Sequence, residues 1–167
     1  MPFPLLPDLI VTGLPDLTPE ELHRRGIRLL MLDFDNTIVP YTTDIPEEEM
    51  RLWLEKMLRS EIQLCVVSNS RKGRVPAFCQ ERGIPYVVRA KKPGVRGIRQ
   101  ALAQFEVPPL EAALAGDQIF TDVLGGNSAG VTSILVKAID NHNIWLKLRH
   151  VAELPFVYAA RKRKLVQ

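Results

Sequence analysis

The chain has 167 residues, a formal net charge of +3, 46% hydrophobic residues and 25% charged residues. This length fits one domain with a core of its own, and the composition is ordinary for a globular protein. No apolar run reaches the roughly 18 residues of a membrane-spanning helix, and residues 1–14 lack the basic flank and cleavage site of a signal peptide.

The first elements can be predicted from caps and apolar runs. A capping box at residues 18–21 begins a short helix that Gly26 ends. The segment Ile27 to Phe34 predicts a buried strand, because past Arg28 its apolar residues are continuous up to Asp33. Residues 37–44 are too short and mixed for a helix and predict a small flap or hairpin.

The rest of the chain alternates between helical and strand patterns. A helix from Pro46 carries a stripe with a 3.6-residue period, formed by Met50, Trp53, Leu54, Met57 and Leu58. The later predicted strands are 62–67, 86–88, 112–115 and 131–136, and the later predicted helices are 75–83, 95–105 and 122–129. This alternation predicts a parallel sheet with helices on both faces.

No repeat or second domain interrupts this pattern, so residues 1–167 are predicted to form a single domain. Residues 1–25 are an N-terminal extension, and residues 138–167 are a basic tail. Residues 137–167 hold seven Lys and Arg against two Asp and Glu. Such a tail can contact nucleic acid or an anionic membrane, or it can be a solvated terminal helix.

The cysteines and histidines give no metal site. Cys65 and Cys79 lie among apolar residues and are interpreted as reduced core cysteines of a cytosolic protein. The histidines have no metal-ligand spacing with each other or with the cysteines; they are His23, His142 and His150.

The most informative feature is a pair of carboxylates, Asp33 and Asp35, at the end of a buried strand. Like charges this close raise each other's pKa, and burial adds a desolvation cost to the ionised carboxylates. A cation between them removes this penalty. A divalent metal removes this cost and leaves one carboxylate free to act as a nucleophile. The pair therefore indicates metal-assisted chemistry. A calcium EF-hand loop starting at Asp33 is excluded, since its sixth and twelfth positions would be Ile38 and Asp44 instead of Gly and Glu.

Polar residues follow four of the predicted strands, where ligands of parallel α/β sheets bind. These residues are Asp33, Asp35 and Thr37, then Ser68 and Asn69, then Lys91 and Lys92, and finally Gly116, Asp117 and Asp122. Each group alone has a structural explanation, because Asp and Ser cap helices, a lone Lys is usually solvated and Gly-Asp forms turns. Four groups in these topological places favour a functional site.

These motifs resemble those of the haloacid dehalogenase (HAD) superfamily. The segment Asp33-Phe34-Asp35-Asn36-Thr37 is similar to its D-x-D-x-T motif, Ser68 to its second motif, Lys92 before Pro93 to its third, and Gly116-Asp117 with Asp122 to its fourth. Residues 90–93 (A-K-K-P) and 116–127 (G-D-Q-I-F-T-D-V-L-G-G-N) resemble more closely the subclass IIIA branch of phosphatidylglycerophosphate phosphatases. The resemblance covers about residues 26–137. Ser70 and Ala138 depart from that branch, which often has Asn and Pro there.

The resemblance implies a role for each residue. Asp33 would be the nucleophile and Asp35 the general acid and base. Mg²⁺ would lie between Asp33, the main-chain carbonyl of Asp35 and Asp117. The phosphate-binding residues would be Ser68, Asn69 and Lys92, where Lys92 is preferred over Lys91 because it directly precedes proline. Thr37 would support the loop, and Asp122 would orient Lys92 or the water shell of the metal.

The spacing of the motifs excludes a cap domain. The 30 residues between Thr37 and Ser68, and the 23 between Ser68 and Lys92, are taken up by predicted core elements. The expected fold is therefore an α/β, HAD-like Rossmannoid three-layer sandwich with a central parallel sheet and no cap. An open site suits a phosphate displayed on a large partner, such as a lipid head group at an anionic membrane.

The predicted function is Mg²⁺-dependent hydrolysis of phosphatidylglycerophosphate to phosphatidylglycerol. The enzyme is expected in the cytoplasm, peripherally at the inner face of the membrane, without a transmembrane segment or a nucleic-acid partner. One alternative is a HAD phosphatase of a soluble or protein-bound phosphomonoester. Another is a basic nucleic-acid- or membrane-binding module on a relic core, which the complete set of catalytic residues disfavours.

Overall fold

The computed structural model describes residues 4–140 and 153–161. Its centre is a six-stranded parallel sheet with the strand order β1-β6-β5-β2-β3-β4. The strands are β1 (Leu9–Val11), β2 (Leu29–Leu32), β3 (Gln63–Val67), β4 (Tyr86–Val87), β5 (Ala112–Gly116) and β6 (Thr132–Val136). The predicted α/β architecture with a parallel sheet is confirmed.

Helices cover both faces of this sheet. They are α1 (Pro19–Arg24), α2 (Glu48–Leu58), α3 (Arg74–Arg82), α4 (Arg96–Phe105) and α5 (Leu124–Ala129), together with α6 (153–161). Alternating residues of β2 face opposite layers: Leu30 and Leu32 pack with α2 and α3, whereas Leu29 and Met31 pack with α4. This two-sided burial explains why β2 is apolar at every position.

Capping residues explain where two of the helices begin or end. Thr18 accepts a hydrogen bond from the Glu21 N–H at 3.2 Å, as an N-cap does. Gly83 ends α3 in the left-handed conformation, with φ of 66°. The predicted stripe of α2 is buried except at Leu58, which is 42% exposed because it lies in the last turn, at the edge of the buried face.

Four parts of the chain differ from the sequence prediction. The extension contributes β1, which pairs with β6 at the sheet edge and was not predicted as a strand. The segment expected to be a flap or hairpin, residues 37–44, contains turns and only an isolated Asp35–Val39 bridge. β2 is shorter than predicted, Leu29–Leu32 in place of 27–34. The last core helix begins earlier than expected, with a π-helical turn at Ile119–Val123.

Part of the basic tail packs on the domain. The Ile119 N–H donates to Glu153 Oε1 at 3.0 Å, and the rings of Phe120 and Phe156 meet edge to face at 6.1 Å. Helix α6 therefore covers the turn that precedes α5. The tail cations Lys147, Arg149, Lys162, Arg163 and Lys164 lie outside the described part of the chain, as do His142 and His150. Cys65 and Cys79 are buried free thiols.

No helix in the described part of the chain is long and apolar enough to span a bilayer.

Candidate active site

Three neighbouring strands bring the candidate residues to one edge of the sheet. Asp33 directly follows β2, Ser68 follows β3, and Asp117 follows β5. Because β2 pairs in parallel with both β3 and β5, their carboxyl ends lie side by side. The Asp33 N–H donates to the Ala115 carbonyl at 2.9 Å, which continues the β2–β5 ladder up to the site.

Lys92 lies at the centre of the site and forms two buried ion pairs. Its Nζ is 2.8 Å from Asp33 Oδ1 and 2.6 Å from Asp122 Oδ1, and its side chain is 1% exposed. Lys91, the alternative candidate, is exposed. The structure therefore places Lys92, and not Lys91, among the carboxylates.

The electrostatics of the site follow from burial and crowding. Burial raises the pKa of Asp33 to about 7, Lys92 opposes this rise, and Asp122 adds to it. Burial acts to lower the pKa of Lys92, but Asp122 and Asp33 outweigh it and raise that pKa above its ordinary value. Lys92 is therefore a fixed positive charge at working pH.

A third carboxylate completes an all-oxygen cluster. Carboxylate oxygens of Asp33, Asp117 and Asp122 lie within 4.8 Å of one another, and all three residues are buried. The Thr37 hydroxyl donates to Asp117 Oδ1 at 3.4 Å. One lysine cannot neutralise three carboxylates, and oxygen donors suit hard divalent cations. The cluster could hold such a metal.

Asp122 depends on a glycine in the neighbouring strand. A Cβ at Gly116 would lie 2.2 Å from the Asp122 Cγ, so only glycine lets this carboxyl pack across the end of β5. The second carboxyl oxygen of Asp122 accepts from the Gln118 N–H at 3.1 Å. Asp122 is thus held from two sides while it contacts Lys92.

The structure gives the Asn69 side chain a contact that the sequence does not reveal. Its amide donates to the Lys92 carbonyl at 2.9 Å and accepts from the Lys92 N–H at 2.7 Å. Both ends of the amide therefore hold the main chain of Lys92. Ser68, 1% exposed, accepts from the Ser70 N–H at 3.0 Å and keeps its own hydroxyl proton for another acceptor.

Asp35 lies at the open side of the site. Its side chain is 22% exposed and approaches the Arg74 guanidinium at 3.3 Å. Burial raises the pKa of Asp35, and Arg74 acts in the opposite direction. A partly buried carboxyl with a raised pKa suits a group that must both give and take a proton.

Sequence reasoning missed Arg74, which connects Asp35 to the segment 40–44. Its guanidinium contacts Asp44 Oδ1 at 2.6 Å and donates to the carbonyls of Pro40, Tyr41 and Thr43. It also lies over the Phe34 ring, 5.2 Å from the centroid. An arginine at the start of the helix after Ser68 was the available signal.

We expect Arg74→Met to lower kcat by roughly 10- to 100-fold and to change KM less, because loss of the guanidinium frees Asp35 from its fixed position. Arg74→Lys should recover only part of the rate, since an ammonium cannot make the same set of planar contacts. The measurement is steady-state phosphate release by the purified variants.

The matched control is Arg82→Met, at the other end of α3, where the guanidinium pairs with Glu81 at 2.7 Å. It should leave kcat unchanged. Equal kcat values for Arg74→Met and the wild type would contradict a positioning role for Arg74.

Comparison with known proteins agrees with this geometry. Residues 89–143 match the HAD-hydrolase-like family. The chain is 38% identical over 133 residues to "Probable phosphatase YqeG" of Bacillus subtilis (strain 168), covering 78% of this chain and 76% of that protein.

Solved structures share the fold at low sequence identity. An uncharacterized protein from Listeria monocytogenes serotype 4b superposes with a TM-score of 0.55 and 18% identity, covering 79% of this chain and 99% of that one. The cobalt-bound deoxy-D-mannose-octulosonate 8-phosphate phosphatase of Haemophilus influenzae gives a TM-score of 0.54 and 14% identity, covering 75% of each chain.

Proposed function

This chain belongs to the HAD-like hydrolases and is a phosphatase of that family, and from this premise we propose that it hydrolyses phosphatidylglycerophosphate to phosphatidylglycerol with Mg²⁺. The observation that carries the proposal is the buried set of Asp33, Lys92, Asp122 and Asp117 at the carboxyl edge of the sheet. The lipid substrate is supported by the resemblance of the motifs, by the absence of a cap between them, and by an apolar cavity beside the site.

Hydrolysis would proceed in two steps. In the first, an Asp33 oxygen forms a bond to phosphorus while the bond to the leaving glycerol oxygen breaks, and Asp35 gives that oxygen a proton. In the second, Asp35 takes a proton from water, the water oxygen bonds to phosphorus, and the bond to Asp33 breaks. Phosphate leaves, and both aspartates return to their starting states.

The remaining residues would bind and orient the phosphate. The Ser68 hydroxyl and nearby main-chain N–H groups would donate to phosphoryl oxygens, and Lys92 would offset their charge. Asn69 would act through the main chain of Lys92, which its amide holds on both sides. Asp122 would keep the Lys92 ammonium beside Asp33, and Thr37 would orient Asp117.

We assign the metal ligands to Asp33, the Asp35 carbonyl and Asp117. When bound, Mg²⁺ would supply positive charge to the transferring phosphoryl group. Asp122 lies in the same cluster, but its two oxygens already accept from Lys92 and Gln118. We therefore place it beside the metal ligands and not among them.

An apolar cavity next to the site supports an amphiphilic substrate. It has a volume of about 360 Å³, and Asp117 is one of its lining residues. Its apolar lining comes from the extension, β6 and α6, and includes Ile10, Leu135, Leu154 and Val157. Its charged lining residues are Lys137 and Arg161, together with Asp117 and Glu153. Cations beside an apolar surface fit contact with an anionic membrane at the cytoplasmic face.

The deciding experiment measures phosphate release from phosphatidylglycerophosphate in mixed micelles, with Mg²⁺ and with EDTA, beside a water-soluble phosphomonoester. We expect Mg²⁺-dependent turnover that favours the lipid. Turnover of the soluble ester alone would exclude the lipid substrate and retain the phosphatase. Salt-sensitive nucleic-acid binding without turnover would instead favour a binding module.

A further inference from the structure

A basic surface adjoins the active site, and its cations have no role in the chemistry described above. Arg71, Arg89 and Lys91 line one cavity together with Asn69. All four residues are exposed, and the lining contains no carboxylate. We call this surface the basic cavity.

These three cations have no anionic partner within the described ranges 4–140 and 153–161. Other arginines of the protein do: Arg28 pairs with Glu111, and Arg74 with Asp35 and Asp44. None of the ion pairs of these ranges includes a member of the basic cavity. Like charges gathered without counter-charges repel one another, so the cavity favours an anionic ligand.

The backbone of the cavity adopts an uncommon conformation. Arg89 and Lys91 have φ values of 53° and 58°, in the left-handed region that non-glycine residues rarely adopt. Ala90 between them is buried, whereas both flanking basic residues are exposed. Such backbone conformations concentrate at functional sites, where the surrounding structure maintains them.

Hydrogen bonds attach residues 89–91 to residues 68–70, which follow β3. The Ala90 N–H donates to the Ser68 carbonyl at 3.0 Å, and the Arg89 N–H donates to the Ser70 carbonyl at 3.2 Å. Asn69 lines the cavity and holds Lys92 through its amide. The basic cavity therefore adjoins, through Asn69, the residues that would bind the phosphomonoester.

We propose that Arg71, Arg89 and Lys91 bind a second phosphate group of the substrate, next to the phosphomonoester that is cleaved. The site acts only together with the phosphatase centre, so we rest it on the proposed function. Two arginines and a lysine suit phosphate, because guanidinium groups bind its oxygens in pairs and an ammonium adds charge. The substrate class is thus a phosphomonoester that also carries a phosphodiester or a second phosphate.

The test uses two water-soluble ligands that differ in this group. One is glycerol 3-phosphate, and the other is the deacylated head group of phosphatidylglycerophosphate, which adds a phosphodiester. Affinities are measured by calorimetry on the full-length Asp33→Asn protein in Mg²⁺, so that the ligand is not consumed. We expect the deacylated head group to bind about tenfold more tightly, which corresponds to about 1.4 kcal/mol.

The decisive variant is the double substitution Arg89→Asn/Lys91→Asn, because asparagine tolerates the left-handed conformation. It should bring the ratio of the two affinities close to one and change glycerol 3-phosphate binding less than twofold. The matched control, Arg59→Gln/Arg99→Gln, removes two exposed charges elsewhere and should leave the ratio unchanged.

Each outcome bears on a different conclusion. If the double variant leaves the ratio of the two affinities unchanged and the wild-type protein hydrolyses phosphatidylglycerophosphate, only the second-phosphate site is overturned. If the double variant lowers the ratio but the wild-type protein has no phosphatase activity, the result would support the second-phosphate site and overturn the proposed function. If the double substitution has an effect only when the substrate is presented in anionic micelles, the cations would contact neighbouring lipids. That result would overturn binding of the second phosphate of the substrate.

Discussion

Replacing Asp33 by asparagine is expected to lower phosphate release at least about 10⁴-fold, the scale of loss seen when a covalent nucleophile is removed. An amide has no carboxylate oxygen with which to form the aspartyl-phosphate. Asparagine has nearly the same size and can still accept a hydrogen bond from Lys92, so the site should remain packed. The measurement is kcat with phosphatidylglycerophosphate and Mg²⁺, after mass spectrometry has shown that the asparagine is intact.

Thermal unfolding in EDTA separates lost chemistry from lost structure. Burial raises the pKa of Asp33 from 3.8 to about 7, so the stability contributed by its protonated form is complete below pH 3.8 and is lost as pH rises through about 7. Asparagine does not titrate and avoids this loss. The variant should therefore have a Tm at pH 8 equal to or above that of the wild type. Activity within tenfold of the wild type would contradict the nucleophile assignment.

Replacing Lys92 by methionine is expected to remove activity and to destabilise the fold by about 3–5 kcal/mol, the usual effect of breaking a buried ion pair from one side. Asp33 and Asp122 would remain buried without the ammonium that lies 2.8 Å and 2.6 Å from them. For a chain of this length the change corresponds to a fall in Tm of roughly 6–20 °C. Thermal unfolding in EDTA and phosphate release measure the two effects.

The neighbouring lysine provides the matched control for stability. Lys91→Met changes the same residue type one position earlier, but Lys91 is exposed and forms none of the ion pairs of the described chain. Its Tm should stay within about a degree of the wild type, as is usual for surface substitutions. Mg²⁺ should raise the Tm of Lys92→Met, because it supplies the missing positive charge. Equal Tm values for the two lysine variants in EDTA would contradict a buried ion-pair role for Lys92.

The position of Lys92 explains why one substitution should affect both stability and activity. The buried Lys92 cation stabilises the folded state because it offsets the negative charge of the two buried carboxylates beside it. The same arrangement keeps positive charge beside the nucleophile before substrate arrives, which is the preorganisation that stabilises charge in a transition state. Gly116 contributes indirectly, since it leaves the space that Asp122 occupies.

The sequence alone determined the order of the core elements and the edge of the sheet that carries the chemistry. Continuous apolar runs such as Leu29–Leu32 can only be buried on both faces, and their alternation with helical periods permits a parallel sheet. Polar residues after those runs must then meet at one edge, as Asp33, Ser68 and Asp117 do. Local chemistry was sufficient for these predictions.

Other features depended on contacts between residues far apart in the chain. The three residues Leu9–Val11 are too few to show a strand period, and they form β1 only because the β6 edge offers main-chain partners. Arg74 gains its role from carbonyls more than thirty positions earlier. Asn69 and Lys92 are 23 positions apart, yet the amide of one holds the main chain of the other.

The choice between Lys91 and Lys92 shows the physical reason most clearly. The two residues have the same chemistry and adjacent positions, so no local pattern in the residues themselves distinguishes them; only the family resemblance favoured the one before proline. The tertiary structure separates them by burial: Lys92 is drawn between Asp33 and Asp122, and Lys91, at a φ of 58°, remains at the surface. Sequence periodicity determines which faces are buried, whereas the partner of a buried charge is decided only when distant strands bring their ends together.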